Sequence, residues 1–222
     1  MKIGPTLLIV TSSLSMTDAA ILARWTPVST ALPGGVNYDN AADMPPADEV
    51  GANLTVSFLD RIGLDAGGNA GAVWPGRAAP GTSTIDPAIY TTFTLTPDSG
   101  FTLDLDTVTY DYQSYGLAAN GYNFYIRSSV DGFAGDIDTS SNTAGAARVT
   151  FDVSSLTGLT DPTELRIYAT SIETGNRWFD LQGTDVATDV GLIVNGTVTP
   201  IPEPSTGLLA ALAGLGLMRR RR

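Results

Sequence analysis

Between residues 21 and 200, apolar and polar positions alternate with a period of two in short runs separated by Gly, Pro, Asn and Asp. In 52–59 (ANLTVSFL), Leu54, Val56 and Phe58 fall on one face, the pattern of a half-buried strand. The same alternation groups Tyr122, Phe124 and Ile126 in 122–130, Val149, Phe151 and Val153 in 148–153, and Leu165, Ile167 and Ala169 in 164–170. Further strands are expected over 21–26, 89–96, 101–112, 177–181 and 190–198. In 101–112, Phe101, Leu103, Leu105 and Val108 point inward, and the step from Leu105 to Val108 breaks the period, which predicts a β-bulge. Turns are expected at Pro97-Asp98-Ser99-Gly100, at Asn120-Gly121 and over 173–176. Segments 27–49 and 63–87 are long, rich in Pro and Gly, and read as loops. No stretch of this region carries a helical period. About nine or ten short strands with outward Thr, Asp, Asn and Arg predict an all-β, antiparallel two-sheet sandwich.

The two ends of the chain follow other rules. Residues 1–20 open with Lys2, continue through the apolar run Ile3–Val10, and reach small residues at Ala19 and Ala20, as a secretory signal does. Residues 1–10 also fit a first core strand. At the other end, 207–218 holds only Gly, Leu, Ala and Met, and Arg219, Arg220, Arg221 and Arg222 follow. As a helix this run is roughly 18 Å long at about 1.5 Å per residue. That is short against a hydrocarbon core of about 30 Å. It has no polar face, so an amphipathic last helix is excluded. The arginines stay on the cytoplasmic side and leave everything before the run outside. Pro200, Pro202 and Pro204 favour an extended spacer. The chain thus divides into a signal peptide (1–20), a sandwich domain (21–199) and a C-terminal tail of spacer, apolar run and arginines (200–222).

The order Pro202-Glu203-Pro204, apolar run, terminal arginine cluster resembles the PEP-CTERM sorting signal of bacterial exported proteins. The resemblance implies an exosortase-type membrane enzyme as partner, processing near Pro-Glu-Pro, and a transient membrane anchor before release or attachment at the cell surface or extracellular matrix. The body resembles those of PEP-CTERM proteins more weakly, through Ser128-Ser129-Val130-Asp131-Gly132-Phe133, Leu165-Arg166-Ile167-Tyr168 and Trp178-Phe179-Asp180-Leu181. That likeness implies a jelly-roll-like sandwich. Leu181 and Gln182 follow Asp180 where the pattern usually has Asp-Asn.

Charge and composition narrow the chemistry. The net charge is −11, and four of the 12 basic residues are the terminal arginines. So acidic a body excludes nucleic acid as a partner, because phosphate binding needs a basic footprint. The chain has no His and no Cys, and Lys2 is the single lysine. The commonest general base and metal ligand are thereby missing, and zinc, haem and Schiff-base chemistry go with them.

Among binding candidates, Asp131, Asp136 and Asp138 share one loop and could supply oxygen ligands to calcium, without the helical calcium-loop spacing. Asp104, Asp106 and Asp111 form a second acidic group, expected to face solvent. Asp131 and Gly132 read as a turn that returns Phe133 to the core. Trp74, in a loop beside Pro75-Gly76, is a candidate exposed aromatic for stacking on a sugar ring, with Trp178, Tyr112, Tyr115 and Tyr125 as further aromatics. The expectation is an exported, non-enzymatic protein without a cofactor, structural or associated with exopolysaccharide and envelope. The alternative is a carbohydrate-binding module, with calcium as a candidate ion. A glycan-active enzyme would need two carboxylates across a groove, and no pair stands out.

Overall fold

The computed structural model describes residues 19–25, 46–63, 75–77, 84–115, 122–142, 146–171, 178–180 and 191–202. The N-terminal signal segment, Trp74, the turns at Asn120-Gly121 and 173–176, and the tail with Glu203, Pro204 and Arg219 to Arg222 lie outside the described residues.

The strands are β1 (Ala20–Trp25), β2 (Glu49–Val50), β3 (Leu54–Val56), β4 (Asp60–Ile62), β5 (Pro75–Arg77), β6 (Tyr90–Pro97) and β7 (Phe101–Tyr115). They continue with β8 (Tyr122–Ser128), β9 (Asp138–Asn142), β10 (Ala146–Asp152), β11 (Thr163–Ser171), β12 (Trp178–Asp180) and β13 (Leu192–Pro200). A seven-stranded sheet runs β2-β1-β13-β7-β12-β5, with β10 also on β7. A six-stranded sheet runs β3-β6-β11-β8-β9, with β4 also on β6. The principal pairs are antiparallel and nest outward from the middle of the chain: β8 with β9, β7 with β10, β6 with β11, β1 with β13. Alternate pairs enter opposite sheets, which is jelly-roll topology. The expected all-β two-sheet sandwich is the observed fold.

The inward phases of both sheets form one core. Leu22, Trp25, Leu103, Leu105, Val108, Val149, Phe151 and Val194 of the larger sheet meet Phe93, Leu95, Phe124, Ile126, Leu165 and Ile167 of the smaller. Trp25 packs on Phe93 and Tyr110 on Phe124, with ring centroids 5.2 and 5.9 Å apart. Fully burying each such side chain contributes about 1.5–3 kcal/mol.

The predicted bulge is present. Asn195 pairs with Thr107 and Gly196 with Leu105, so Asp106 has no residue opposite it on β13. The extra residue restores Val108 and Tyr110 to the inward side, where both are buried. Gly196 sits at this step because a methyl group there would collide with the Asp104 carbonyl and the Leu22 side chain.

Several local expectations change. The strand expected over 52–59 stops at Val56, and Phe58 is not inward: it is 56% exposed while Leu59 is buried. The cause is a second bulge. Val56 pairs with Leu95 and Asp60 with Thr92, so β3–β4 carries one residue more than β6 across that step. Segment 63–87, expected to be loop, contains β5, which pairs with β12 at the end of the larger sheet. Pro75 is tolerated there because an edge strand need not donate on both sides. The strand expected over 122–130 ends at Ser128, and Ser129–Asp131 make one turn of 3-10 helix. At the C-terminus, Pro200 pairs with Phe101 and the Ile201 N–H donates to the Gly100 carbonyl at 2.8 Å. The sheet therefore reaches the residue before Pro202.

Candidate functional site

The outward face of the six-stranded sheet is built from the polar phases of β6, β11 and β8. Their order in the sheet places Arg166 opposite Thr92 on one side and Arg127 on the other, and Tyr168 opposite Tyr125. Tyr90 lies beyond Tyr168, with ring centroids 5.5 Å apart. A tyrosine row thus crosses three strands beside an arginine pair.

Two arginines directly opposite each other repel. Each is held by its own carboxylate: Arg166 Nε donates to Glu164 at 2.7 Å, and Arg127 Nε to Asp136 at 2.6 Å. The Arg166 guanidinium lies 4.3 Å from the Tyr90 ring centroid and 3.6 Å from that of Phe133. Arg127 stands 5.4 Å from the Tyr168 ring. Tyr168 is buried, yet it is not part of the inter-sheet core. Burial works against the Arg166 cation, but hydrogen bonds to Glu164 and Tyr168 and the nearby Glu164 charge outweigh it and raise its proton affinity above the usual guanidinium value.

Phe133 does not return to the core, as the turn signal implied. Gly132 takes φ 70° and ends the 3-10 turn, and Phe133 itself takes φ 62°. A left-handed phenylalanine is strained by about 1–3 kcal/mol. It is held there by its N–H to the Ser128 carbonyl (2.9 Å), by Arg127 Nη1 to its own carbonyl (3.3 Å), and by stacking on Arg166.

A bay of about 250 Å³ opens beside this cluster, lined by Ser57, Phe58, Asp60, Thr92, Phe93, Thr94 and Glu164. The bulge that turns Phe58 outward forms one wall. Ser57 ties the bulge to β6: its N–H donates to the Thr94 carbonyl at 3.0 Å, and its hydroxyl accepts from the Thr94 N–H at 2.9 Å. The same hydroxyl donates to the Phe58 carbonyl at 2.8 Å. Thr92 Oγ1 donates to Glu164 at 2.9 Å, which orients the carboxylate beneath the bay.

The residues singled out from the sequence distribute differently. Asp131 accepts from the Gly135 N–H at 3.1 Å, Asp136 binds Arg127, and Asp138 accepts from the backbone of Thr139 and Asp152. They act as separate loop ties. Among the described residues, no group of three acidic side chains is placed to hold a metal ion. Asp104 accepts from the Gly158 N–H at 2.6 Å, and Asp106 is the exposed bulge residue. Asp111 is not acidic surface, as expected, but buried, with the Arg148 guanidinium paired to it across the strands at 2.7 Å. Tyr112, Tyr115 and Trp178 lie on the larger sheet, with Trp178 opposite Tyr115. Tyr125 lies on the smaller sheet, so the proposed aromatic platform is not one surface. Tyr90, Tyr168, Arg127, Arg166, Glu164 and Phe58 were not singled out. Their signal was large aromatic and arginine side chains in the polar phase of strands, which matters only once those strands are known to be neighbours.

The sorting element is read directly from comparison: residues 200–222 match the family model described as the PEP-CTERM protein-sorting motif. The chain carries a PEP-CTERM sorting signal. That motif implies export, transient residence in the membrane and processing there by an exosortase. Among the described residues, no helix is long and apolar enough to cross a membrane. No curated protein matches the chain. Among solved structures, the PEP-CTERM chain is similar to a mutant family 29 carbohydrate-binding module at 16% identity and TM-score 0.34, covering 80% of this chain and 91% of that one. A second family 29 module matches at 16% identity and TM-score 0.34, over 81% and 90%. An acetyl xylan esterase from Butyrivibrio proteoclasticus matches at 10% identity and TM-score 0.31, over 70% of this chain and 33% of that one. Likeness at this level says nothing about ligand or chemistry.

Proposed function

We propose that this PEP-CTERM protein is a non-enzymatic surface module. It is exported, processed at its C-terminal signal by an exosortase-type membrane enzyme, and retained at the cell surface or in the extracellular matrix alongside exopolysaccharide. The observation that carries this reading is the sorting motif at 200–222. The absence of His and Cys from the whole sequence agrees with a role without catalysis.

Mass analysis of the protein recovered from the producing cell tests it. The expected product has lost the first 19 or 20 residues and is cut or modified beyond about Pro204. An intact chain in the cytoplasm overturns the reading. Replacing Arg219 to Arg222 with serine should block processing and leave the unprocessed form in the cell.

A second reading, carbohydrate binding, is favoured by the outward tyrosine–arginine face and the bay beside it. Sugar rings stack their apolar faces on aromatic rings, and their hydroxyls pair with carboxylates and hydroxyls.

A further inference from the structure

We infer that the bay between the Phe58 bulge and Glu164 is a subsite for one ring of a neutral polysaccharide. This rests on the carbohydrate-binding reading above and names the site and ligand class within it.

An exposed phenylalanine alone requires no explanation. Here three features coincide. First, Phe58 is exposed because an extra residue reverses the strand phase, and bulges commonly re-aim a side chain beside a site. Second, the three Ser57 hydrogen bonds lock the bulge before any ligand arrives, and such preorganisation lowers the cost of binding. Third, the polar groups converge: Asp60, Glu164, Thr92 and Thr94 surround the bay that Phe58 walls.

Size and charge set the ligand class. About 250 Å³ lies just below the roughly 300–1,000 Å³ of sites for drug-sized molecules, so the bay holds one ring of a longer chain. Neighbouring rings continue past Thr92 towards Arg166 and Tyr90. Two carboxylates line the bay, and the chain carries a net charge of −11. Glu164 already has Arg166 as its cation, so among the described residues the bay offers an anion no unpaired positive charge. A uronate or sulfate would have to approach two carboxylates, whereas a neutral ring offers hydroxyl donors to their remaining lone pairs.

The test uses the exported protein purified from its producing cells. Hexaoses of β-linked glucose, galactose and mannose are titrated calorimetrically, with polygalacturonate as the acidic probe. At least one neutral hexaose should bind, and polygalacturonate should not. Phe58→Ala should weaken binding at least tenfold, and Phe58→Tyr should stay within about threefold of the parent. Glu164→Gln should weaken it severalfold and serves if Phe58→Ala fails to fold. Binding unchanged in Phe58→Ala and Glu164→Gln, a preference for polygalacturonate, or no neutral hexaose bound overturns the inference. Localisation and tail processing of Phe58→Ala are scored in parallel. Normal processing without glycan binding removes the subsite alone, whereas binding by an unprocessed cytoplasmic chain removes the sorting reading alone.

Discussion

The two sheets present opposite outer faces to solvent. The larger one shows small hydroxyls and amides in cross-strand contact, Thr102 with Thr199 at 2.9 Å, Thr109 with Thr150 at 3.4 Å and Asn195 with Thr107 at 3.0 Å, and its arginines Arg24 and Arg148 pair singly with Glu49 and Asp111. The smaller one shows tyrosines, paired arginines with their carboxylates, a strained Phe133 and an outward Phe58. Their inner faces are alike. Folding asks of an outward position only that it suit a pleated, half-wet surface, and threonine does that at little cost. The smaller sheet carries more than folding requires. It juxtaposes like charges, places a non-glycine residue at positive φ and exposes a large ring. Those costs are what motivate the binding reading proposed for this face.

Core substitutions should strike both sheets equally. Phe151→Ala in the larger sheet and Phe124→Ala in the smaller should each cost about 3–5 kcal/mol in denaturant unfolding. Both rings are fully buried. A sheet that tolerates its substitution would break the symmetry of the inner faces.

Outer-face arginines should then differ in kind. Arg148→Ala withdraws two charged hydrogen bonds from buried Asp111, for an expected loss of about 1–3 kcal/mol. Arg166→Ala removes a guanidinium sandwiched between two rings, for about 1–2 kcal/mol. Arg166→Lys should not restore it, because an ammonium cannot stack as a plane. Full stability in Arg166→Lys would show that the ring contacts of the guanidinium contribute nothing.

Asp152 should give β10 a slight acid sensitivity. The Ser154 hydroxyl and then its N–H hold the Asp152 carboxyl below its ordinary value, against a small opposing effect of burial. A depressed folded-state value means the stabilisation is present above the unfolded carboxylate range and fades as pH falls through the folded one. Asp152→Asn should therefore lower Tm slightly at neutral pH, leave the acid end unchanged, and so flatten the fall between them. An unaltered Tm at neutral pH would remove Asp152 as a contributor. The smallest expected effect is that of chelator. Because Asp131, Asp136 and Asp138 are tied to Gly135, Arg127, Thr139 and Asp152, Tm should not move. A rise in Tm with millimolar calcium would show that this loop rearranges to take a cation and would extend the functional face into it.

Strand phases were legible wherever alternation was clean, as in 122–128 and 163–171. The bulge at Asp106 was legible because two residues rather than one separate the inward Leu105 and Val108. The bulge at Phe58–Leu59 was not: ANLTVSFL alternates without a break, and only the partner β6 shows that one residue is surplus. The sequence favoured Trp74 and an aspartate loop as the site, because loops rich in aromatics and acids attract attention. It passed over Tyr90, Tyr125, Tyr168 and the arginines as a joint surface because they lie on strands far apart in the chain.

Local physics therefore determined the class of fold, most of the inward positions, the lack of histidine and cysteine chemistry and the tail as an address, since each follows from residues near one another or from composition. The tertiary structure decided which strands stand side by side, that β6, β11 and β8 bring a tyrosine row beside an arginine pair, and that Phe58 rather than Leu59 meets solvent. Those outcomes depend on pairing and register between distant segments. A shift of one residue reverses every side chain, and no local pattern encodes it.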